Sequence, residues 1–122
     1  MWLSEYDCVI PVPLHQIRLL ERGYNQSELL AEEVSKWLGL PMVNDVLFRL
    51  RNTERQSRLR GIERIENVKG AFGAFGNYVT GKKIILVDDI YTAGETARAC
   101  ADALKKSGAG EIVVITLCKA KY

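Results

Sequence analysis

Apolar and polar positions along the chain fall into blocks whose spacing predicts its elements. YDCVIPV (6–12) is apolar and β-branched and meets Pro11 and Pro13, so it reads as a strand running into a loop. SELLAEEVSKWLG (27–39) carries Leu29, Leu30, Val34, Trp37 and Leu38 at helical spacing, which predicts a helix with Trp37 on its core-facing side. Asn25 and Glu28 supply a capping pair at its start, and Gly39 then Pro41 stop it. KIILVD (83–88) is apolar without alternation, the pattern of a strand covered on both faces. A helix from about Thr96 to Ser107, stopped by Gly108, and a second buried strand, EIVVITLC (111–118), complete the regular part.

Residues 41–80 are less regular. Their glycine–aromatic stretch GAFGAFGNYVTG predicts turns and short strands, with Phe72, Phe75 and Tyr78 packing a hairpin against the core; a base-stacking surface is the other reading. Strands alternating with helices imply an α/β fold with a parallel sheet. In such sheets ligands bind beyond the carboxyl ends of the strands. Asp88, Asp89 and the loop 90–95 fall at that end, as does the 13–26 loop.

Length and composition narrow the class. The 122 residues suit a single domain, 1–122, and 48% apolar with 26% charged residues suits a soluble globular chain. No apolar run approaches the roughly 18 residues of a membrane span. MWLSEYDC lacks the basic and apolar regions of a secretion signal, so a cytoplasmic location is expected. Cys8, Cys100 and Cys118 form no CxxC pair and lie in apolar surroundings, which fits free buried thiols. The net charge of +2 is uneven: residues 49–69 hold seven cations and three acids. That segment suits either an anionic partner or a solvated face.

The chemistry concentrates in IILVDDIYTAGET (84–96). An ATPase reading fails. GNYVTGKK (76–83) matches G-x-x-x-x-G-K, but Lys83 stands where Ser or Thr must hold magnesium, and the loop leads into a strand instead of a helix. A phospho-acceptor receiver needs a further strand-end aspartate and a lysine downstream; the carboxylates after Asp89 are Glu95, Asp102 and Glu111, none at a strand end. A third reading satisfies both halves of the stretch. Paired carboxylates accept hydrogen bonds from vicinal hydroxyls, and a small-residue loop opening a helix presents amides to a phosphate. A ribose 5-phosphate has both groups.

This stretch resembles the phosphate-binding loop of type I phosphoribosyltransferases, in which apolar residues, two acids and T-[TA]-G-x-T follow one another. With PVPLH (11–15), RLLERGYNQSELLA (18–31), LRNTERQSRL (50–59) and GKKIILVDD (81–89), the chain resembles the ComF family of competence-associated proteins. The resemblance implies the type I phosphoribosyltransferase fold: a parallel sheet with helices on both faces and a hood, here 41–80, before the strand that carries the acids. It implies binding of 5-phosphoribosyl pyrophosphate (PRPP), with Asp88 and Asp89 on the ribose hydroxyls and near Mg²⁺, reached partly through water. Tyr91, Thr92, Ala93, Gly94, Glu95 and Thr96 would take the 5′-phosphate, with Glu95 as a candidate base, so the implied catalytic set is Asp88, Asp89 and Glu95. His15, Arg18, Arg22 and Asn25 would lie near the pyrophosphate, and Arg51, Thr53, Gln56 and Arg60 would form the hood's polar face. The family usually carries a zinc ribbon built from CxxC pairs; none is present here, and no zinc is expected. Implied roles are glycosyl transfer from PRPP to an acceptor in DNA uptake, or a non-catalytic adaptor or PRPP sensor touching single-stranded DNA or competence and recombination proteins. The fold class commonly forms homodimers.

Overall fold

In a computed structural model of the chain, residues 2–14, 16–51, 62, 70–91 and 95–119 are described. A 3-10 turn (Trp2–Glu5) leads into β1 (Cys8–Pro11), followed by α1 (Gln16–Arg22) and α2 (Gln26–Leu38). Then come β2 (Leu47–Arg49), β3 (Phe72–Ala74), β4 (Ile84–Tyr91), α3 (Glu95–Lys106) and β5 (Ile112–Lys119). β1, β4 and β5 form a parallel sheet in the order β1-β4-β5. Met42 adds a parallel bridge to Val9 on the far side of β1. β2 and β3 pair separately as an antiparallel ribbon.

Two apolar layers sandwich the sheet because β4 presents alternate residues to each side. Ile84 and Leu86 join Cys8, Ile10, Leu47, Phe72 and the α3 residues Cys100 and Leu104. Ile85 and Val87 join Val9 and the α2 residues Ala31 and Val34. Helices therefore cover both faces, as the sequence implies for this fold.

The predicted elements differ from the observed ones in informative places. α1 lies within the segment read as the 13–26 loop; its QIRLLER composition favours helix, but Ile17, Leu19 and Leu20 are exposed and give it no core stripe. α2 is capped as expected: the Ser27 amide donates to Asn25 Oδ1, and Gly39 closes the helix at φ 70°. Glu28, however, accepts from Asn44 Nδ2 at 2.9 Å, so its carboxylate is drawn toward the segment after the helix. Trp37 is not in the core: it is 71% exposed. The sheet-facing stripe is Ser27, Ala31 and Val34, small residues that bring α2 close to the sheet, and Trp37 projects off that stripe. Phe72 packs into the core, whereas Phe75 and Tyr78 are exposed. β4 runs three residues past Asp88 because β5 accompanies it to the Tyr91–Lys119 pair.

Candidate functional site at the β1–β4 divide

From β1 the chain passes through α2 to Met42 on one side of β1, then returns through the β2–β3 ribbon to β4 on the other. The direction of winding thus reverses between β1 and β4, and parallel sheets open a crevice beyond the strand ends at such a point. The β1–β4 pairing stops at Pro11–Val87, with a last bond from the Val12 amide to the Val87 carbonyl at 2.8 Å. β4 continues alone on that side, and its next two residues are Asp88 and Asp89.

The strand's alternation sends the two carboxylates to opposite faces. Asp88 is 8% exposed and lies on the α3 side. It belongs electrostatically to the surroundings of Cys100: burial pushes that thiol well above its ordinary value, the Arg49 guanidinium opposes the shift and Asp88 adds to it. Asp89 lies on the α2 side. Its Oδ1 accepts from Ser27 Oγ at 3.2 Å, and its amide donates to the same oxygen at 3.1 Å.

Glu95 begins α3, where a carboxylate suits the positive end of the helix. Its Oε2 is buried and has no hydrogen-bond partner among the described residues. Thr96 follows it, half-buried. Asn25 lines the site's edge, but its side chain is engaged at both ends: it caps α2, and its Nδ2 donates to the Val12 carbonyl at 3.1 Å. Arg22 is exposed at the end of α1, and Arg51 is exposed just after β2. His15, Thr53, Gln56, Arg60, Thr92, Ala93 and Gly94 lie outside the described residues, as do the side chains of Arg18 and Tyr91. A groove of about 200 Å³ opens beside the end of β1 between Pro11, Pro13, Leu19, Asn25, Leu47 and Phe48. Its walls mix apolar side chains with the polar Asn25, Glu28 and Asn44, and the Glu28 carboxylate disfavours a phosphate there.

Two residues escaped the sequence reading. Ser27 is a hydroxyl on the inward stripe of an otherwise apolar helix face, and that placement was the available signal. Arg49 reaches inward from the ribbon to stack on Phe72, which its position in a basic segment disguised.

Residues 25–121 match the family described as the phosphoribosyl transferase domain, and the chain belongs to that family, within its ComF group. It is 37% identical over 116 residues to competence protein F of Haemophilus influenzae, covering 93% of this chain and 51% of that protein. It is 35% identical over 105 residues to competence protein ComFC of Bacillus subtilis, covering 86% of this chain and 41% of that protein. DNA utilization protein YhgH of Escherichia coli K12 is 36% identical over 113 residues, with 93% and 49% covered. The chain thus spans about half the length of the curated relatives it matches. Among solved structures, glutamine PRPP amidotransferase of B. subtilis aligns with a TM-score of 0.62 at 23% identity, covering 92% of this chain and 22% of that one. Purine phosphoribosyltransferase of Pyrococcus horikoshii aligns at 0.57 and 19% identity, covering 93% and 61%. These likenesses establish the type I phosphoribosyltransferase fold.

Proposed function

We propose that the chain binds PRPP at the β1–β4 divide and transfers its phosphoribosyl group to an acceptor, in the cytoplasmic handling of DNA taken up during competence. The observation that carries this reading is the placement of Asp88 and Asp89 at the crevice where the sheet changes winding direction. The carboxylates take the ribose hydroxyls, and the residues from Thr92 to the start of α3 take the 5′-phosphate.

Asp88 and Asp89 do not form a shared metal chelate, since they face opposite sides of β4, and no group of three metal-ligating side chains gathers among the described residues. They fit Mg²⁺ held through water and through PRPP's own oxygens, consistent with that ion's reluctance to dehydrate. Held there by Asp88 and Asp89, the ion would supply charge neutralisation for the departing pyrophosphate.

In transfer, the bond from the anomeric carbon to pyrophosphate breaks with its electron pair leaving on pyrophosphate, and the acceptor's nucleophile bonds to that carbon. The chain's residues bind, orient and stabilise charge; none needs to attack. The paired carboxylates lie near the developing positive charge on the sugar. Glu95, whose Oε2 has no partner among the described residues, takes the proton lost by the nucleophile. The groove beside Phe48 receives a ring-bearing acceptor.

A second reading, a non-catalytic PRPP sensor that docks partner proteins or single-stranded DNA, draws on the exposed Leu50 and Phe75 that flank the β2–β3 ribbon, which transfer does not require. Titration of PRPP with Mg²⁺, followed by melting temperature, tests the shared premise. Wild-type protein should be stabilised and the Asp88→Asn/Asp89→Asn variant should not; equal stabilisation of both would refute the assignment of the carboxylates. Release of pyrophosphate with a panel of ring acceptors then separates transferase from sensor.

A further inference from the structure

Ser27 makes two bonds to one residue on another element. Its Oγ donates to Asp89 Oδ1 at 3.2 Å and accepts from the Asp89 amide at 3.1 Å. It is 3% exposed and sits in the first turn of α2. A serine inside a helix ordinarily satisfies its hydroxyl on the carbonyl one turn back. The start of α2 offers no such helical carbonyl, and the hydroxyl reaches across to β4 instead. The reach has a structural cause: the β1–β4 ladder ends with the Val12 amide on the Val87 carbonyl, so Ser27 supplies the acceptor that β1 no longer offers to Asp89.

The connection extends one step further. Asn25 Oδ1 accepts from the Ser27 amide at 3.1 Å, and Asn25 Nδ2 donates to the Val12 carbonyl at 3.1 Å. An unbroken path therefore joins the exit of β1, the cap of α2 and the Asp89 carboxylate.

We infer that Ser27 is a positioning residue for the ribose site, holding Asp89 in one rotamer with Oδ2 presented to a ligand hydroxyl. The inference rests on the PRPP reading above for its ligand. An unrestrained aspartate must be ordered when the ligand binds; one already fixed by two bonds avoids that cost, which is the general benefit of a preorganised site.

The test uses Ser27→Ala, Ser27→Cys, Asp89→Asn and the Ser27→Ala/Asp89→Asn double variant. In ligand-free protein, Ser27→Ala should speed hydrogen exchange of the Asp89 amide at least tenfold while leaving the Leu86 amide protected. PRPP affinity should fall about three- to tenfold, the cost of ordering one freed side chain on binding. On the Asp89→Asn background the same substitution should change affinity less than twofold, because Ser27 acts through that carboxylate. Ser27→Cys keeps the volume with a weaker donor and should give an intermediate loss; it also serves if the alanine variant does not fold. Unchanged Asp89 exchange, unchanged PRPP affinity, or effects that multiply in the double variant would overturn the inference. Wild-type protein that ignores PRPP would sink the proposed function instead, while the exchange measurement still decides whether Ser27 holds Asp89.

Discussion

Arg49 and Phe72 are register partners on the β2–β3 ribbon, and the guanidinium carbon lies 4.8 Å from the centre of the ring. The pair closes the inner end of the ribbon's last rung. Phe72 is buried among Leu47, Leu86 and Cys100, and the cation over its face is one of the favourable ring contacts available to arginine. Phe72→Ala should cost about 3–4 kcal/mol, as large-to-small core changes do. Phe75→Ala, on the exposed side at 55% exposure, should cost about 0.5 kcal/mol or less. Urea denaturation of the two variants checks the contrast, and similar losses would mean that the ribbon is seated differently.

Trp37 gives an optical handle on the packing of α2. With Trp37 at 71% and Trp2 at 58% exposure, native fluorescence should be red-shifted and readily quenched by iodide or acrylamide. Trp37→Ala should alter stability by no more than about 0.5 kcal/mol. A blue-shifted, protected emission would restore the tryptophan to the core.

Alkali should weaken the fold. Burial pushes the Cys8 thiol up to about 11, with Asp7 adding and Lys82 opposing, and burial raises Cys100 as well. An acid whose native value lies above its unfolded one favours the native state fully below the unfolded value. That advantage is lost as pH climbs through the native value. Stability should therefore fall between about pH 9 and 11, and Cys8→Ala should flatten part of the slope. Denaturant midpoints at pH 8 and 10.5 measure both. A flat profile for the parent protein would contradict the buried, neutral thiol.

Glu95 separates binding from proton transfer. Glu95→Gln keeps the shape and removes the base, so PRPP should still raise the melting point while transfer slows 10²- to 10⁴-fold, the usual range for a lost general base. Loss of PRPP binding in this variant would assign Glu95 to ligand affinity instead.

Much of this was readable before any coordinates. Unbroken apolar runs marked β4 and β5, and the Asn25 and Gly39 signals bounded α2 to within a residue. The acid pair was placed at the strand's carboxyl end by the apolar run before it, and the structure has it there. Other features had no local signal. The described side chains of α1 are all exposed, so this short helix shows no buried stripe among them for periodicity to mark. The overrun of β4 to Tyr91 depends on how far β5 accompanies it, a property of the partner strand. The Ser27–Asp89 tie joins positions 62 apart, and only the packing of α2 on the sheet brings them together. Trp37 illustrates the limit of a periodicity argument: spacing located a stripe, but close approach of the helix selected Ala31 and Val34 for it.

The three-rung ribbon of β2 and β3 has a consequence for engineering. Its pairs Leu47–Ala74, Phe48–Gly73 and Arg49–Phe72 bring the two ends of the intervening stretch side by side. Closing a loop on a pre-formed stem depends only weakly on loop length. Chimaeras that keep these six residues while exchanging residues 52–69 should therefore melt close to the parent.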